Sequence, residues 1–370
     1  MWIYILSLIF SFVLLGVAQT CTTPHGRTSQ CISVTECTDI INEVKTRGID
    51  REINIFLRKS HCGWSGNVPK ICCGPLYIDD DNSDVDKDTL EDSILAPVGQ
   101  CGQDYVSSKR AVDDRIFGGT ETAVGEYPWL AILWYRRRGG DFLSHKCGGM
   151  LINRRFVLTA AHCIIGEAVE SFGNLTMVSL GEHDVDNRSS CFRNKCTLAP
   201  QNFTVANTFP YEDYNSDSKV YDIGLIKLSK RAKYNELVQP ICLDRSRKWK
   251  IGDGVIVAGW GKTLTSLESS VKLKVSLKIA DQAKCTDLFR SQHQLALKST
   301  QLCIGGTFRT DSCTGDSGGP AMRHNGQAWE AIGVISFGYG CGRDGWPGIY
   351  TVIFDYYNWI LRTMRTNTIL

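Results

Sequence analysis

The sequence predicts an all-β domain, a barrel or a sandwich, closed by a C-terminal helix and preceded by a small disulfide-stapled module. Three observations carry this. Between residues 116 and 370, short β runs alternate with glycine-rich turns, as at 129–134, 156–158, 255–259 and 331–337. Near the C-terminus, Ile353, Tyr356, Tyr357, Ile360 and Met364 fall on one helical face. Six of the 16 cysteines, Cys21, Cys31, Cys37, Cys62, Cys72 and Cys73, crowd into one short N-terminal stretch. A unit of about fifty residues buries too little apolar surface to fold comfortably without cross-links.

Taken in order, residues 2–17 are almost wholly apolar, and Gly16, Val17 and Ala18 offer small residues where a signal peptidase reads. This predicts a signal peptide over 1–18 and a secreted, extracellular protein. The basic n-region is missing, which leaves a retained anchor as the alternative. Cys21 opens the cysteine framework almost at once, with little polar flank, so no membrane anchor is expected. Elsewhere no apolar run approaches the ~20 residues of a membrane-spanning helix.

The stapled module spans 21–73. Between Cys37 and Cys62, Ile40, Ile41 and Val44, then Ile53, Ile55, Phe56 and Leu57, suggest short helical or extended segments broken at Gly48. Residues 74–115 follow as an acidic linker and activation segment. Residues 79–92 hold eight acidic residues against one lysine, without core-forming periodicity, and read as a solvated tether. The β-rich domain then occupies 116–370.

Composition narrows the function classes. A hydrophobic content of 43% suits a globular chain with a packed core. The 41 basic and 39 acidic side chains leave a net charge of +2, so no global field favours nucleic acid or anionic membrane. An even cysteine count fits an oxidising compartment. Zinc would want tight CxxC pairs with matching histidines, and these are absent. Sequons at Asn174, Asn187 and Asn202 suit a secreted glycoprotein.

Three stretches carry the chemistry. Thr159-Ala160-Ala161-His162-Cys163 places a histidine after a β run. Tyr221-Asp222-Ile223-Gly224-Leu225 sets a carboxylate at the head of an apolar strand. Gly315-Asp316-Ser317-Gly318-Gly319-Pro320 puts a serine in a glycine-rich turn. Serine is a poor nucleophile without a base within hydrogen-bond reach. Histidine suits that task near neutral pH, and a buried carboxylate fixes its tautomer. Turn glycines let backbone N–H groups face a developing oxyanion.

With these flanks and this order, residues 116–370 resemble the chymotrypsin-like serine protease family. The resemblance implies a double six-stranded antiparallel β-barrel, trypsin-like, with the active site between the barrels. It makes Ser317 the nucleophile, His162 the general base and then acid, and Asp222 the orienting carboxylate. Gly315 and Ser317 would supply the oxyanion-hole N–H groups.

The same resemblance places Asp311 on the floor of the primary specificity pocket, where a buried carboxylate calls for the Arg or Lys side chain of a substrate. Ser312 beside it matches the arrangement accepting both, and Gly338 and Gly348 match walls that must lack side chains. Arg115-Ile116-Phe117-Gly118-Gly119 resembles the family's activation junction, with Phe117 in place of the usual valine. Cleavage there would free the Ile116 ammonium to pair with Asp316, a buried ion pair that acts as a switch more than as a stabiliser. The activator would itself be trypsin-like.

The resemblance also implies bridges Cys147–Cys163, Cys285–Cys303, Cys313–Cys341 and Cys101–Cys242, with Cys191 and Cys196 left to staple a surface loop. The N-terminal module resembles the clip domain, which implies Cys21–Cys72, Cys31–Cys62 and Cys37–Cys73; sequence alone leaves 15 pairings open. The whole chain thus resembles arthropod clip-domain serine proteases of the prophenoloxidase-activating type, used in cascades of melanisation, Toll signalling and embryonic patterning. Implied partners are a protein substrate such as another zymogen, an upstream activating protease and a serpin inhibitor. No cofactor is needed for the chemistry. Glu182, Asp184 and Asn187 begin a loop that binds calcium in relatives, and hard oxygen ligands make a structural calcium site a candidate. Pro347 stands where sodium-activated relatives carry tyrosine, which argues against a sodium site. The alternatives are a clip-domain cofactor without catalysis, which Ser317 speaks against, and a digestive or venom protease.

Overall fold

The computed structural model describes residues 20–24, 28–47, 51–74, 95–96, 99–104, 119–137, 140, 142–186, 191–192, 195–196, 199–261, 268–306, 316–339 and 344–368. The expected signal peptide, most of the acidic linker and the Arg115–Ile116 bond lie outside them. The chain divides into two units, Met1–Asp84 and Val85–Leu370. Among the described residues no helix is long and apolar enough to cross a membrane.

In the first unit, β1 (Thr20–Thr22), β2 (Thr28–Ser33), β3 (His61–Ser65) and β4 (Val68–Cys72) form an antiparallel sheet in the order β1-β2-β4-β3. Between β2 and β3 lie helices α1 (Thr38–Arg47) and α2 (Arg51–Lys59), so both apolar runs of this stretch are helical rather than extended. Ile53 and Phe56, one turn apart on α2, meet Ile40, Cys37 and Ile71 in a small core. Such a core needs staples. Cys21–Cys72, Cys31–Cys62 and Cys37–Cys73 supply them across separations of 51, 31 and 36 residues. In the chain-entropy picture each contributes about 4 kcal/mol.

In the second unit, apolar runs bounded by turns become two β layers. β5 (Thr120–Glu121) precedes a closed barrel made of β6 (Leu130–Arg136), β7 (Leu143–Leu151), β8 (Phe156–Thr159), β9 (Asn174–Leu180), β12 (Gln201–Pro210) and β13 (Gly224–Leu228). A hairpin of β10 (Cys191–Phe192) and β11 (Lys195–Cys196) sits between β9 and β12, with Cys191 opposite Cys196 in register. The second barrel uses β15 (Gly254–Gly259), β16 (Leu273–Lys278), β17 (Gln301–Gly305), β18 (Pro320–His324), β19 (Trp329–Phe337) and β20 (Pro347–Val352). Its sheet runs β17-β20-β19-β18-β15-β16-β5, and β14 (Cys242–Leu243) pairs in parallel with β19. A single bridge, Ile279 to Ile304, brings the chain after β16 back to β17 and closes it.

Inward residues of alternate positions fill each barrel, as Leu133, Met150, Leu158, Val178 and Ile226 do in the first. Val257, Leu277, Ile304, Ile332 and Tyr350 do so in the second. The predicted C-terminal helical face divides in two: residues Ile353–Tyr356 form a 3-10 turn, and helix α5 spans Tyr357–Thr366. Tyr356, at φ −110° and ψ 5°, breaks the continuity between them. Ile353, Ile360 and Met364 are buried as the pattern requires. Helices α3 (Glu167–Phe172) and α4 (Gln282–His293) complete the unit.

Among the described residues the bridges Cys101–Cys242, Cys147–Cys163 and Cys285–Cys303 also form. Cys313 and Cys341 lie outside those residues, as do the side chains of Cys191 and Cys196.

Candidate active site

β8 ends at Thr159, and the next residues, Ala160 and Ala161, are fully buried. Small side chains let the chain turn tightly here, in a 3-10 segment Ala161–Cys163 that carries His162. The Cys147–Cys163 bridge pins that segment to β7. Asp222 stands just before β13, after Tyr221, whose φ of 63° is unusual for a bulky residue. The Ile223 N–H donates to the Tyr221 carbonyl at 2.9 Å, so the chain turns sharply around Asp222 and aims its side chain inward.

The result is a fully buried carboxylate with every bond directed at His162 or its support. The His162 ring Nδ1 lies 2.7 Å from Asp222 Oδ2, and the His162 backbone N–H donates to Oδ1 at 2.9 Å. The Ser336 hydroxyl donates to Oδ2 at 2.6 Å. Thr351 Oγ1 donates to the Asp222 carbonyl at 2.8 Å and fixes the backbone. Complete burial pushes the Asp222 carboxyl up, but the positive charge of protonated His162 and these hydrogen bonds outweigh it and hold it below the ordinary range. An ionised Asp222 then keeps the proton on Nδ1 and leaves Nε2 as the basic nitrogen.

Ser317 comes from the second barrel, in the turn before β18. Its carbonyl accepts the Gly148 N–H of β7 at 2.8 Å, which ties the turn to the strand beside His162. Gly318, at φ +82°, admits no side chain: a β carbon would sit 2.2 Å from Thr159 Oγ1 and 2.6 Å from the Gly148 carbonyl. The serine turn and the histidine segment are thereby both tied to β7. Cys163 Sγ lies 3.6 Å from His162 Nε2 and 3.6 Å from the Ser317 carbonyl oxygen.

Comparison with known proteins places this geometry. Residues 116–360 match the family model described as Trypsin, and residues 21–73 match the regulatory CLIP domain of proteinases. The chain belongs to the clip-domain serine proteases of the trypsin family. It is 41% identical to phenoloxidase-activating enzyme 1 of Spodoptera litura, over 99% of this chain and 98% of that protein. Serine protease 7 of Drosophila melanogaster is 35% identical over 94% of this chain and 92% of its own length. Among solved structures, the Drosophila Grass clip serine protease of the Toll pathway superposes with a TM-score of 0.63 at 28% identity, covering 95% of this chain and 99% of that one.

In this clip-domain protease the remaining expected site residues fall as follows. A β carbon on Gly338 would lie 3.7 Å from Gly348 Cα, so the two glycines face each other after β19 and within β20. Asp316 Oδ1 accepts the Gly261 N–H at 2.8 Å, beside a cavity also lined by His145, Cys147 and Gly259. Gly259 and Gly261 must be glycines here, because β carbons would approach the Asp316 carboxyl group within 2.2 and 2.6 Å. Asp311, Ser312, Gly315, Arg115, Ile116 and Asn187 lie outside the described residues. Asn174 and Asn202 are exposed on β9 and β12, and Asn202 Oδ1 accepts the Ser179 hydroxyl at 2.6 Å.

Glu182 is buried, while Asp184 turns Oδ1 to the Asp186 N–H of its own loop at 3.1 Å. Glu182 and Asp184 are thus the described members of the expected calcium set, and calcium takes six to eight oxygens. Cys147, His162 and Cys163 are the one close group of metal-type ligands among the described residues. Both sulfurs are already bonded to each other, which removes them as thiolates.

Ser336 and Thr351 were not singled out by sequence. Ser336 stands two residues before Gly338, so its position was the available signal. A serine on a β run carries no mark of its own.

Proposed function

We propose that this protein is the secreted precursor of an endopeptidase that cleaves protein substrates after Arg or Lys, made active by cleavage at Arg115–Ile116. The observation that carries the reading is Asp222: a fully buried carboxylate that holds His162 Nδ1 at 2.7 Å while Ser317 is tied to the neighbouring strand. Burying a carboxylate is costly unless its partners compensate. Here the partners serve to orient one imidazole.

In this account His162 Nε2 takes the Ser317 Oγ proton as Oγ attacks the scissile carbonyl, and Asp222 steadies the imidazolium. The same proton then passes to the leaving amine. Water deacylates the enzyme by the reverse sequence, with His162 again as base. The N–H groups of Gly315 and Ser317 receive the oxyanion. Asp311 and Ser312 receive the basic side chain between Gly338 and Gly348.

Activation acts on Asp316. Its carboxylate takes an N–H from Gly261; after cleavage the Ile116 ammonium pairs with the same carboxylate and orders the turn ahead of Ser317. The clip domain docks a cascade partner, and the substrate is another zymogen. The activating enzyme is trypsin-like, and a serpin is the natural inhibitor. The names of the relatives, a phenoloxidase-activating enzyme and a clip serine protease of the Toll pathway, support an extracellular immune cascade. The test is Arg115→Ala. Exposed to a trypsin-like protease, that variant should stay whole at this bond and inactive; full activity in it would refute the switch.

A further inference from the structure

Just ahead of Asp222, two residues adopt a backbone conformation that side chains disfavour. Lys219 and Tyr221 stand at φ 53° and 63°, in the left-handed region that glycine and asparagine enter most readily. They flank Val220, which is buried. Such a pair persists only where its surroundings impose it. Tyr221 is held locally: its carbonyl takes the Ile223 N–H at 2.9 Å, and its ring lies 5.7 Å from that of Tyr211. The Asn215 N–H donates to the Val220 carbonyl at 3.2 Å. Lys219 is held from a distance. Its carbonyl accepts Gln301 Nε2 at 3.2 Å, across 82 positions of sequence.

Gln301 opens β17, a strand that continues with the buried apolar residues Leu302 and Ile304, and it is itself buried. A buried amide needs partners at both ends. Oε1 accepts the Lys298 N–H at 3.0 Å, which fixes the orientation of the amide and turns Nε2 toward Lys219. The backbone is fixed as well, because the Gln301 N–H donates to the Lys298 carbonyl at 3.0 Å. Across the sheet, Gln301 pairs in register with Thr351 of β20, so both side chains leave on one face. Thr351 Oγ1 donates to the Asp222 carbonyl at 2.8 Å. Two neighbouring side chains of the second barrel thus grip the carbonyls at both ends of the segment 219–222.

We propose that Gln301 is a positioning residue for the Asp222–His162 pair, acting through the Lys219 carbonyl and the left-handed turn that leads into Asp222. The proposal rests on the peptidase reading above and adds a residue to the same site. Without the amide, the Lys219 carbonyl loses this donor and the turn relaxes toward ordinary dihedral angles. Asp222 Oδ2 then leaves its 2.7 Å contact with His162 Nδ1. Misplacement by about 1 Å is enough to cost activity about a hundredfold.

The test uses Gln301→Met, similar in size but without a donor, in the full chain nicked at Arg115. We expect kcat on an Arg amide to fall about tenfold while KM stays within about twofold. Adding Lys219→Gly, which accepts positive φ without strain, should restore most of that loss. A second readout is independent of hydrolysis. In nicked Ser317→Ala chains, the NMR signal of the His162 Nδ1 proton should move upfield in Gln301→Met and return with Lys219→Gly. A folded Gln301→Met with wild-type kcat would overturn the proposal. So would a lower melting temperature with that resonance unmoved, or a loss that Lys219→Gly does not repair. If the wild type hydrolyses no amide, the resonance decides alone: a shift supports the positioning role and only the peptidase reading fails. Should Gln301→Met not fold, Gln301→Asn, one methylene short of Lys219, takes its place in each comparison.

Discussion

Ser336 and His162 share one oxygen of Asp222: the Ser336 hydroxyl donates to Oδ2 at 2.6 Å, and the His162 Nδ1 lies 2.7 Å from it. The hydroxyl therefore acts on the carboxylate rather than on any substrate, which makes Ser336 a positioning residue. In Ser336→Ala the buried carboxylate loses one of its donors, at about 1–2 kcal/mol of stability. We expect kcat on an Arg amide to fall about tenfold with KM little changed, read by steady-state kinetics on the nicked enzyme. Ser336→Thr, which keeps the hydroxyl, should recover part of the loss. A Ser336→Ala enzyme with wild-type kcat would remove Ser336 from the machinery.

Asp222→Asn keeps the shape of the site and removes the charge. The wrong tautomer of His162 then follows, and kcat should drop by about three to four orders of magnitude. A melting curve close to wild type must accompany the loss. Activity within tenfold of wild type would show that the carboxylate does not orient His162.

A β carbon on Gly338 would come within van der Waals distance of Gly348 Cα, so a side chain at Gly338 fills the space between the two glycines. Gly338→Val should lower kcat/KM for Arg and Lys amides about a hundredfold, with small side chains suffering less. Unaltered Arg hydrolysis in Gly338→Val would place the specificity pocket elsewhere.

Lys272 is buried, with its ammonium 2.6 Å from the Glu126 carbonyl, and burial lowers its pKa from 10.5 to about 8, against the pull of Glu126 and Asp104. Below pH 8 the lysine is charged in both the folded and unfolded states, and its burial penalty is fully present. Between about pH 8 and 10.5 the unfolded chain binds the extra proton, so stability from this group rises with pH. Relative to Lys272→Met, the wild type should gain about 2–3 kcal/mol between those limits. Denaturant unfolding of both proteins across that range gives the comparison, and parallel curves would contradict it.

Cys101 and Cys242 are bonded across 141 residues and straddle the expected cleavage bond. After nicking at Arg115 the wild type should run as one species without reductant and as two with it. Cys101→Ser/Cys242→Ser should separate in both. A wild-type chain that falls apart unreduced would mean that the bridge does not tie the two pieces.

Much of this was legible because the catalytic residues sit in short, unusual neighbourhoods. His162 beside a cysteine and Ser317 among glycines announce a chemistry that few other folds require of those spacings. The helices of the clip unit were ambiguous because runs as short as Ile53–Phe56 satisfy both periods, and burial of Ile53 with Phe56 decides for the helix. The C-terminal pattern named the buried residues but missed the change from a 3-10 turn to helix α5, since both place Ile353 and Ile360 inward. Ser336, Thr351 and Lys272 were invisible for a different reason. Each is an ordinary residue whose meaning arises only when distant strands bring it to Asp222 or Glu126.

The central claim is that cleavage at Arg115 turns on a Ser317-dependent peptidase specific for basic residues. The most direct measurement takes recombinant precursor, before and after nicking at Arg115 by a trypsin-like protease, with Arg, Lys and Phe amides, alongside Ser317→Ala. The account predicts hydrolysis of the Arg and Lys amides that appears only after nicking and is lost in Ser317→Ala. No hydrolysis after confirmed cleavage, or a preference for Phe, would contradict it.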